Sequence, residues 1–224
     1  MIHMSSKPIV RVLLTLLVSL GLTLAPSAAY AAKTSDIDDA RELPLGSTVT
    51  VKGTVTVAAG AFVSSTFDEG FALQDKHDGI YVSLATNVGL QLGDQAEVTG
   101  VLTDISGLLA LVPSGPSDVK AKGHGRPVTA DEVRTGRVNE KSEGRLVVVK
   151  GTITQAVSSD LPYGYKFYVN DGSGEIQIFV SASTGIDLSG LVLGQRVRVI
   201  GFSAQFDTTY EVQPRVQADI TVLP

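Results

Sequence analysis

Short runs in which apolar and polar side chains alternate recur along the chain, and this period of two is typical of strands with one buried face. The run VTVKGTV begins at Val49, and its near copy VVVKGTI begins at Val147. Three further segments recur in the same order: FALQD and FYVND, GIYV and EIQI, LGDQAEVTG and LGQRVRVIG. Four matched blocks in one order indicate that a unit of about 90 residues occurs twice, through gene duplication.

Each unit is predicted to contain a short helix followed by five strands. Ser35 and the acidic residues that follow it favour a helix through Glu42, because acids stabilise the first turn of a helix. Thr129-Ala130-Asp131-Glu132 has the spacing of a capping box, in which Thr and Glu each satisfy a free backbone N–H. Asp171-Gly172-Ser173-Gly174 lies between two alternating runs and is typical of a hairpin turn.

Five short antiparallel strands expose their edges unless they close into a small barrel. The chain has 23 glycines, which suit the tight turns and sharp bends of such a barrel. We therefore predict an all-β protein of two tandem five-stranded OB-fold-like barrels, each preceded by a short helix. The predicted boundaries are a first barrel at residues 35–118, a linker at 119–127 and a second barrel at 128–224.

The N-terminal segment is predicted to be a signal peptide, residues 1–31. Lys7 and Arg11 precede an apolar run of about 13 residues, and Ala29-Tyr30-Ala31 supplies the small residues that a signal peptidase requires. A membrane-spanning helix needs roughly 20 apolar residues, so a membrane anchor is the weaker alternative. We expect a periplasmic or secreted protein with no stable membrane insertion after cleavage.

Composition and net charge exclude several kinds of site and limit how the protein could bind a polyanion. The chain has no cysteine, which excludes disulfides, thiolate metal sites and a cysteine nucleophile. Removal of residues 1–31 takes two of the 18 Lys and Arg and none of the 23 Asp and Glu, so the mature chain carries a net charge of −7. A mildly acidic protein has no global attraction for a polyanion, and any such site must be a local patch.

The repeated segments resemble the bacterial exported OB-fold modules of the nucleic-acid-binding type (anticodon-binding or helicase-associated), here as a tandem repeat. The motifs that carry the resemblance are LPLGSTVTVKGTV, GFALQDKHDGIYV and LGDQAEVTGVL, with second copies EGRLVVVKGTI, YKFYVNDGSGEIQIFV and LGQRVRVIGF. These patterns cover nearly the whole mature chain. They imply a barrel and a nucleic-acid ligand, and such modules also occur beside secreted nucleases.

In OB-folds the ligand lies across strands two and three, flanked by the loops that join strands one to two and four to five. A two-residue turn at Ser173-Gly174 would place Tyr168 opposite Phe179 on the outer face of the second unit. Two outward aromatics beside a lysine would suit base stacking and phosphate contact. The predicted nucleic-acid-binding residues are Lys166, Tyr168, Phe179, Gln177, Tyr163, Tyr165, Arg196, Arg198 and Phe206. The alternative is that Tyr168 and Phe179 form a cross-strand pair that the other unit covers.

The first unit has a weaker candidate face. Among its outward positions only Tyr81 could stack on a base, and residues 33–125 carry 12 acidic against 6 basic side chains. Residues 143–224 carry 8 against 6. We therefore expect the second unit to do most of any polyanion binding.

Few other residues are candidates for metal binding or catalysis. His77 with Asp75 and Asp78, or Asp171 with Ser173 and Glu175, could supply metal ligands, but both clusters lie in turns where such residues are common. We predict no metal site, no cofactor and no enzymatic activity, since cysteine is absent and histidine is scarce. The expected function is nucleic-acid binding, most simply of single-stranded or extracellular DNA. The alternatives are an oligosaccharide- or protein-binding module of the cell envelope, and an accessory subunit of a secreted nuclease.

Overall fold

Two sheets with the same strand order make up the fold. The computed structural model describes residues 34–63 and 67–224, and the predicted signal peptide lies outside the described residues. The first sheet comprises β1 (Thr34–Ser35), β2 (Thr48–Val57), β3 (Phe71–Gln74), β4 (Gly79–Val82), β5 (Asp94–Ile105), β6 (Leu108–Val112) and β7 (Val119–His124). The second comprises β8 (Asp131–Glu132), β9 (Leu146–Asp160), β10 (Gly164–Asn170), β11 (Glu175–Ser181), β12 (Arg196–Phe206), β13 (Thr209–Gln213) and β14 (Ile220–Val222).

Each sheet closes into a barrel through five of its strands. In the first, the order β2-β3-β4-β6-β5 is closed by pairing of β5 with β2. In the second, β9-β10-β11-β13-β12 is closed by pairing of β12 with β9. This is the Greek-key order of an OB-fold, so the prediction of two tandem OB-like barrels is confirmed. The remaining short strands lie at the sheet edges.

Helical structure is brief in the described residues. The one α-helix, α1 (Ile37–Arg41), is the helix predicted before the first barrel, with Ile37 and Ala40 buried. Single 3-10 turns occur at Pro116–Asp118, Thr135–Arg137, Ala182–Thr184 and Gln217–Asp219.

The predicted helix before the second barrel is wrong. Asp131 and Glu132 form β8, which pairs in parallel with Val147 and Val148 of β9. Asp131 forms an ion pair with Arg145, and Glu132 binds Lys150 at 2.8 Å. The carboxylates of Asp131 and Glu132 therefore pair with the basic side chains of Arg145 and Lys150. In a capping box, the glutamate would instead accept a hydrogen bond from the backbone N–H at the start of its own helix.

The predicted linker also needs correction. Residues 119–124 form β7, which pairs antiparallel to β5 with Val119 opposite Val98 and Lys120 opposite Glu97. Of the six residues of β7, Val119 is half-buried and the other five are exposed. A strand at a solvated edge has little apolar alternation, and this is why the sequence pattern did not reveal it.

Each barrel encloses its own hydrophobic core, to which its five strands contribute every second residue. The first is built on Phe71, Leu73, Ile80 and Val82 with their neighbours on β2 and β5. The second is built on Phe167, Val169, Ile176, Ile178 and Val180. On each of β3, β4, β10 and β11 these buried residues are two positions apart, so the period of two places them on one inward face.

The two barrels pack against each other through a third apolar cluster. Phe202 and Ala204 of β12 lie against side chains of the first barrel, among them Phe62 and Tyr81. The ring centroid of Phe202 is 6.3 Å from that of Phe62 and 5.9 Å from that of Tyr81. All these residues are nearly inaccessible to solvent, so the barrels share a buried interface.

Polar contacts surround this cluster. Arg41 of α1 donates from Nη2 to the buried Glu143 carboxylate at 3.1 Å, and Arg215 donates from Nη1 to the Thr56 carbonyl at 2.9 Å. Gly79 and Gly144 meet backbone to backbone across the interface, and Gly144 has φ +83°. A side chain at Gly144 would strain the backbone and collide with the Gly79 carbonyl, so this approach requires glycine.

Candidate functional site

A groove of about 480 Å³ lies over the outer face of β10, β11 and β13. This is the position at which OB-folds receive ligands, across strands two and three. The loop between β9 and β10 flanks it at one end, and the turn between β12 and β13 flanks it at the other. Its lining residues are Phe67, Asp160, Tyr163, Lys166, Gln177, Phe179, Phe206, Thr209 and Glu211.

Five predicted site residues line this groove: Tyr163, Lys166, Gln177, Phe179 and Phe206. The alternation of β10 and β11 brings Lys166, Gln177 and Phe179 to the outer face, since their neighbours fill the core. The two loop positions follow from the topology, because the β9–β10 and β12–β13 connections meet at the ends of the groove. Four lining residues were missed by the sequence reasoning: Phe67, Asp160, Thr209 and Glu211.

The register of the β10–β11 hairpin differs from the one expected. Lys166 lies opposite Phe179, and Tyr168 lies opposite Gln177. The last pair is Asn170 with Glu175, so the loop contains four residues instead of two. The Asp171 carboxylate accepts from the Ser173 backbone N–H at 2.8 Å, which holds this wider turn. Tyr168 and Phe179 are therefore not directly opposed.

Tyr168 supports the groove without lining it. Its hydroxyl donates to Gln177 Oε1 at 2.8 Å. Gln177 Nε2 in turn donates to Glu211 Oε2 at 2.6 Å, and Gln213 Nε2 donates to Glu211 Oε1 at 2.6 Å. This chain of hydrogen bonds fixes the amide of Gln177 and both oxygens of Glu211 on the floor of the groove.

Three aromatic side chains form the rim. Phe67, Phe206 and Tyr163 are 76%, 55% and 41% exposed, and no other aromatic residue in the described part of the chain is as accessible. The rings of Phe67 and Tyr163 meet edge to face with centroids 5.4 Å apart. Phe67 belongs to the β2–β3 connection of the first barrel, so the rim is composite. The signal in the sequence that could have revealed this composite rim is Phe67 itself, an aromatic residue in the loop between strands one and two of the first unit.

The groove carries little positive charge. Lys166 Nζ lies 3.5 Å from Asp160 Oδ2, and this ion pair neutralises the groove's cation. Glu211 is 4% exposed, and its burial raises the pKa of its carboxyl group, while the amides of Gln213 and Gln177 oppose the shift. Electrostatic attraction of the groove for an anion is thus weak.

Three predicted residues lie elsewhere. Arg196 and Arg198 lie at the start of β12, in the part of the strand that pairs with β9, and Arg198 is opposite Lys150. Tyr165 is half-buried and packs against the core of the second barrel, because it shares the inward side with Phe167. Alternation separates Tyr165 from the groove, whereas Arg196 and Arg198 are separated from it by their place at the opposite end of β12 from Phe206.

The equivalent face of the first barrel is closed. Ala72 lies opposite Tyr81, and Tyr81 lies opposite Ala110, in one row across β3, β4 and β6. All three are buried in the apolar cluster with Phe202. The interface between the barrels therefore covers the first barrel's face, while the second barrel's face retains an open groove. The alternative prediction was that the other barrel covers Tyr168 and Phe179. In the structure, Tyr81 and Phe202 make the contact between the barrels instead.

The turns considered as metal sites use their carboxylates locally. Asp75 accepts from the backbone N–H groups of His77, Asp78 and Ile37 at 2.8–2.9 Å. Within residues 34–63 and 67–224, no three acidic or histidine side chains group closely enough to hold a metal ion. No helix among these same residues is long and apolar enough to cross a membrane.

Comparison with known proteins finds one distant relative among curated sequences. No family model matches the chain. Over 192 residues, or 80% of the chain, it is 28% identical to Endonuclease YhcR of Bacillus subtilis (strain 168). The match covers 15% of that protein, so the chain spans a small part of its relative's length.

Three solved structures are similar at low scores. A replication protein A heterotrimer bound to ssDNA is 16% identical, with 43% of this chain and 83% of that chain covered and a TM-score of 0.34. The p204 HINb domain is 10% identical, with 80% and 96% covered and a TM-score of 0.35. A murine DNA binding protein bound with ds DNA is 10% identical, with 78% and 97% covered and a TM-score of 0.36. At such scores the OB-like fold rests on the strand order and not on these likenesses.

The similarity to a named endonuclease contradicts the expectation that the protein has no enzymatic function. That expectation rested on the absence of cysteine and the scarcity of histidine. Hydrolysis of phosphodiesters can instead use metal ions held by carboxylates. Among the residues that the structure describes, no three carboxylate or histidine side chains lie close enough to form such a site, so the likeness assigns no catalytic residue to this chain.

Proposed function

We propose that the protein binds single-stranded nucleic acid in the groove of the second barrel, and that this binding serves an endonuclease reaction. One observation carries the proposal: the three exposed aromatic side chains of the described residues all line one groove on the ligand face of an OB-like barrel. The similarity to Endonuclease YhcR supports the link to nuclease chemistry.

Stacking is the main source of affinity in this proposal. Each base stacked on an aromatic ring contributes about 1–3 kcal/mol, and unpaired bases are free to stack. Lys166 is the one cation that lines the groove, and Asp160 competes with phosphate for it. A single phosphate contact gives a salt slope of about 0.7 on single strands, so binding should weaken only modestly with salt.

Fluorescence anisotropy with a labelled single-stranded oligonucleotide tests the binding site. Phe206→Ala and Tyr163→Ala should each weaken binding by about 1–3 kcal/mol, with the salt slope unchanged. Leu193→Ala is the matched control, because Leu193 is 62% exposed and lies outside the groove. Undetectable binding at low salt, or equal affinities for all three variants, would contradict the proposal.

The nuclease link has its own test. Cleavage of the same oligonucleotide is followed with Mg²⁺ or Ca²⁺ for the wild type and for Phe206→Ala. If the groove delivers substrate to the reaction, the variant cleaves more slowly at low substrate concentration. Equal cleavage rates at every substrate concentration would separate the groove from catalysis.

We further propose that the protein acts in the periplasm or outside the cell, after removal of residues 1–31. Lys7, Arg11 and the apolar run that follows them support this proposal. Expression of the full chain in a bacterium followed by N-terminal mass analysis should find a mature form that begins at Ala32. A cytoplasmic protein that retains Met1 would contradict it.

An oligosaccharide is the second candidate ligand. The groove combines aromatic rings with Asp160, Glu211 and Gln177, and its cation is already paired. Sugars stack on aromatic rings and donate hydroxyl hydrogen bonds to such acceptors, without need of positive charge. Glycan binding that resists high salt and competes with the oligonucleotide would favour this alternative.

A further inference from the structure

Glu211 is a buried carboxylate at the place where the proposed ligand would sit. It lines the groove, and no lysine or arginine of the described residues forms an ion pair with it. A carboxylate at this position repels phosphate and favours a hydrogen-bond donor. The groove floor is therefore unsuited to the nucleic-acid backbone and suited to the edge of a base.

The hydrogen bonds of Glu211 leave acceptor capacity on both oxygens. Both oxygens accept from side-chain amides, which is the pattern of an ionised carboxylate, and such a group has about four lone-pair sites. Gln213 uses one on Oε1 and Gln177 uses one on Oε2. The remaining sites can accept from a ligand, and the two amides keep the carboxylate from rotating. Tyr168 acts as a positioning residue, because its hydroxyl holds Gln177.

We propose that Glu211 makes the groove selective for bases that carry an exocyclic amino group over thymine and uracil. Adenine carries an amino donor at C6, cytosine at C4 and guanine at C2, whereas thymine and uracil have no amino group and carry a carbonyl oxygen at C4. A donor facing Glu211 makes a charge-assisted hydrogen bond, and a carbonyl facing it leaves two acceptors opposed. This inference rests on the proposed function, since it requires a base to stack in the groove.

Oligo-dC and oligo-dU provide a matched pair of probes. Their bases differ at C4, where cytosine has an amino group and uracil an oxygen, with the accompanying change of protonation at N3. Wild-type protein at neutral pH should bind oligo-dC about 10-fold more tightly than oligo-dU. Glu211→Gln should bring the two affinities together, mainly by improving oligo-dU, because the substitution removes the negative charge and adds a donor.

Asp160→Asn is the control variant. It removes the same charge from the same groove, but Asp160 is only half-buried and is paired with Lys166. The variant should strengthen binding of both probes equally and leave their ratio unchanged. If Glu211→Gln fails to fold, Tyr168→Phe provides a second test, since it loosens Gln177 and should reduce the ratio without removing the carboxylate.

The outcomes separate the two proposals. Binding of oligo-dC and oligo-dU with equal affinity by the wild type would overturn the role of Glu211 and leave the groove as a binding site. A ratio that survives Glu211→Gln would overturn it as well. Undetectable binding of either probe at low salt would refute the proposed function, and the selectivity with it.

Discussion

Phe202 and Phe206 lie four residues apart on β12, and they should affect stability and binding in opposite ways. Phe202 is 1% exposed in the contact between the barrels, whereas Phe206 is 55% exposed at the rim of the groove. Replacement of each by alanine removes the same atoms. The comparison therefore isolates burial as the cause of any difference in the free energy of unfolding.

Truncation of a buried phenylalanine costs about 3–5 kcal/mol. A cavity of about 50 Å³ already lies beside Phe202, lined also by Phe62 and Tyr81, so the ring has fewer packing contacts to lose than one surrounded on every side. We expect a loss near the lower limit, about 3 kcal/mol. For a folded region of this size that loss lowers Tm by about 6–12 °C. Phe206→Ala should change stability by less than about 0.5 kcal/mol.

Urea or thermal unfolding followed by circular dichroism measures these changes, and anisotropy with single-stranded DNA measures binding of the same samples. Phe206→Ala should lose about 1–3 kcal/mol of binding free energy. Phe202→Ala should bind normally at temperatures where it remains folded. A loss of stability below about 1 kcal/mol for Phe202→Ala, or an equal loss for Phe206→Ala, would refute the assignment of Phe202 to a buried interface.

Three further predictions concern charge, pH and backbone. Lys166→Ala should reduce the salt slope of DNA binding by about 0.7, whereas Arg198→Ala, on another face, should leave it unchanged in the same titration. Hydrogen bonds from Ser173 and Thr135 hold the pKa of Asp171 below its unfolded value of 3.8. The stabilisation from this group is therefore present above pH 3.8 and is lost as the pH falls through the folded pKa. In Asp171→Asn, the free energy of unfolding should depend less on pH over this acidic range. Gly144→Ala should destabilise the protein by more than about 1 kcal/mol in urea unfolding, because φ is +83° and the Gly79 carbonyl lies in the way.

The sequence predicted the barrels because local signals and long-range pairing agree in them. Repeated VKGT and LGQ-type segments mark the closing strands, and alternation marks the inward residues of β10 and β11. Composition strengthened this assignment, since valine and threonine suit strands and glycine suits the turns and bends between them. The outer positions Lys166, Gln177 and Phe179 followed directly from the same period of two.

The hairpin register could not be obtained in that way. A register depends on which loop residues pair, and a hairpin that closes at Ser173-Gly174 and one that closes at Asn170 keep the same inward set. The side chain of Asp171 decides the matter, because it binds Ser173 and Thr135 and holds a four-residue loop. Such tertiary hydrogen bonds have no signature in the local pattern.

The contact between the barrels was equally invisible to alternation. A period of two separates the inner face of a strand from its outer face, but it does not say whether the outer face meets water or another domain. Small residues such as Ala72 are compatible with either environment. The composite rim escaped prediction for the same reason, since Phe67 reaches the groove only through the packing of one barrel on the other.

The two barrels differ in one transverse row of outer residues, and this row explains their different use. The equivalent rows are Ala72, Tyr81 and Ala110 in the first barrel and Tyr168, Gln177 and Glu211 in the second. The first row is apolar apart from one hydroxyl, so it can be buried against Phe202 with a gain from the removal of apolar surface from water. The second row contains a carboxylate that only two side-chain amides satisfy, and an apolar surface such as Phe202 packed over it would leave its remaining acceptor sites without partners, which is costly. The same fold therefore uses one ligand face to join the barrels and leaves the other accessible, with an acceptor that a hydrogen-bond donor can satisfy.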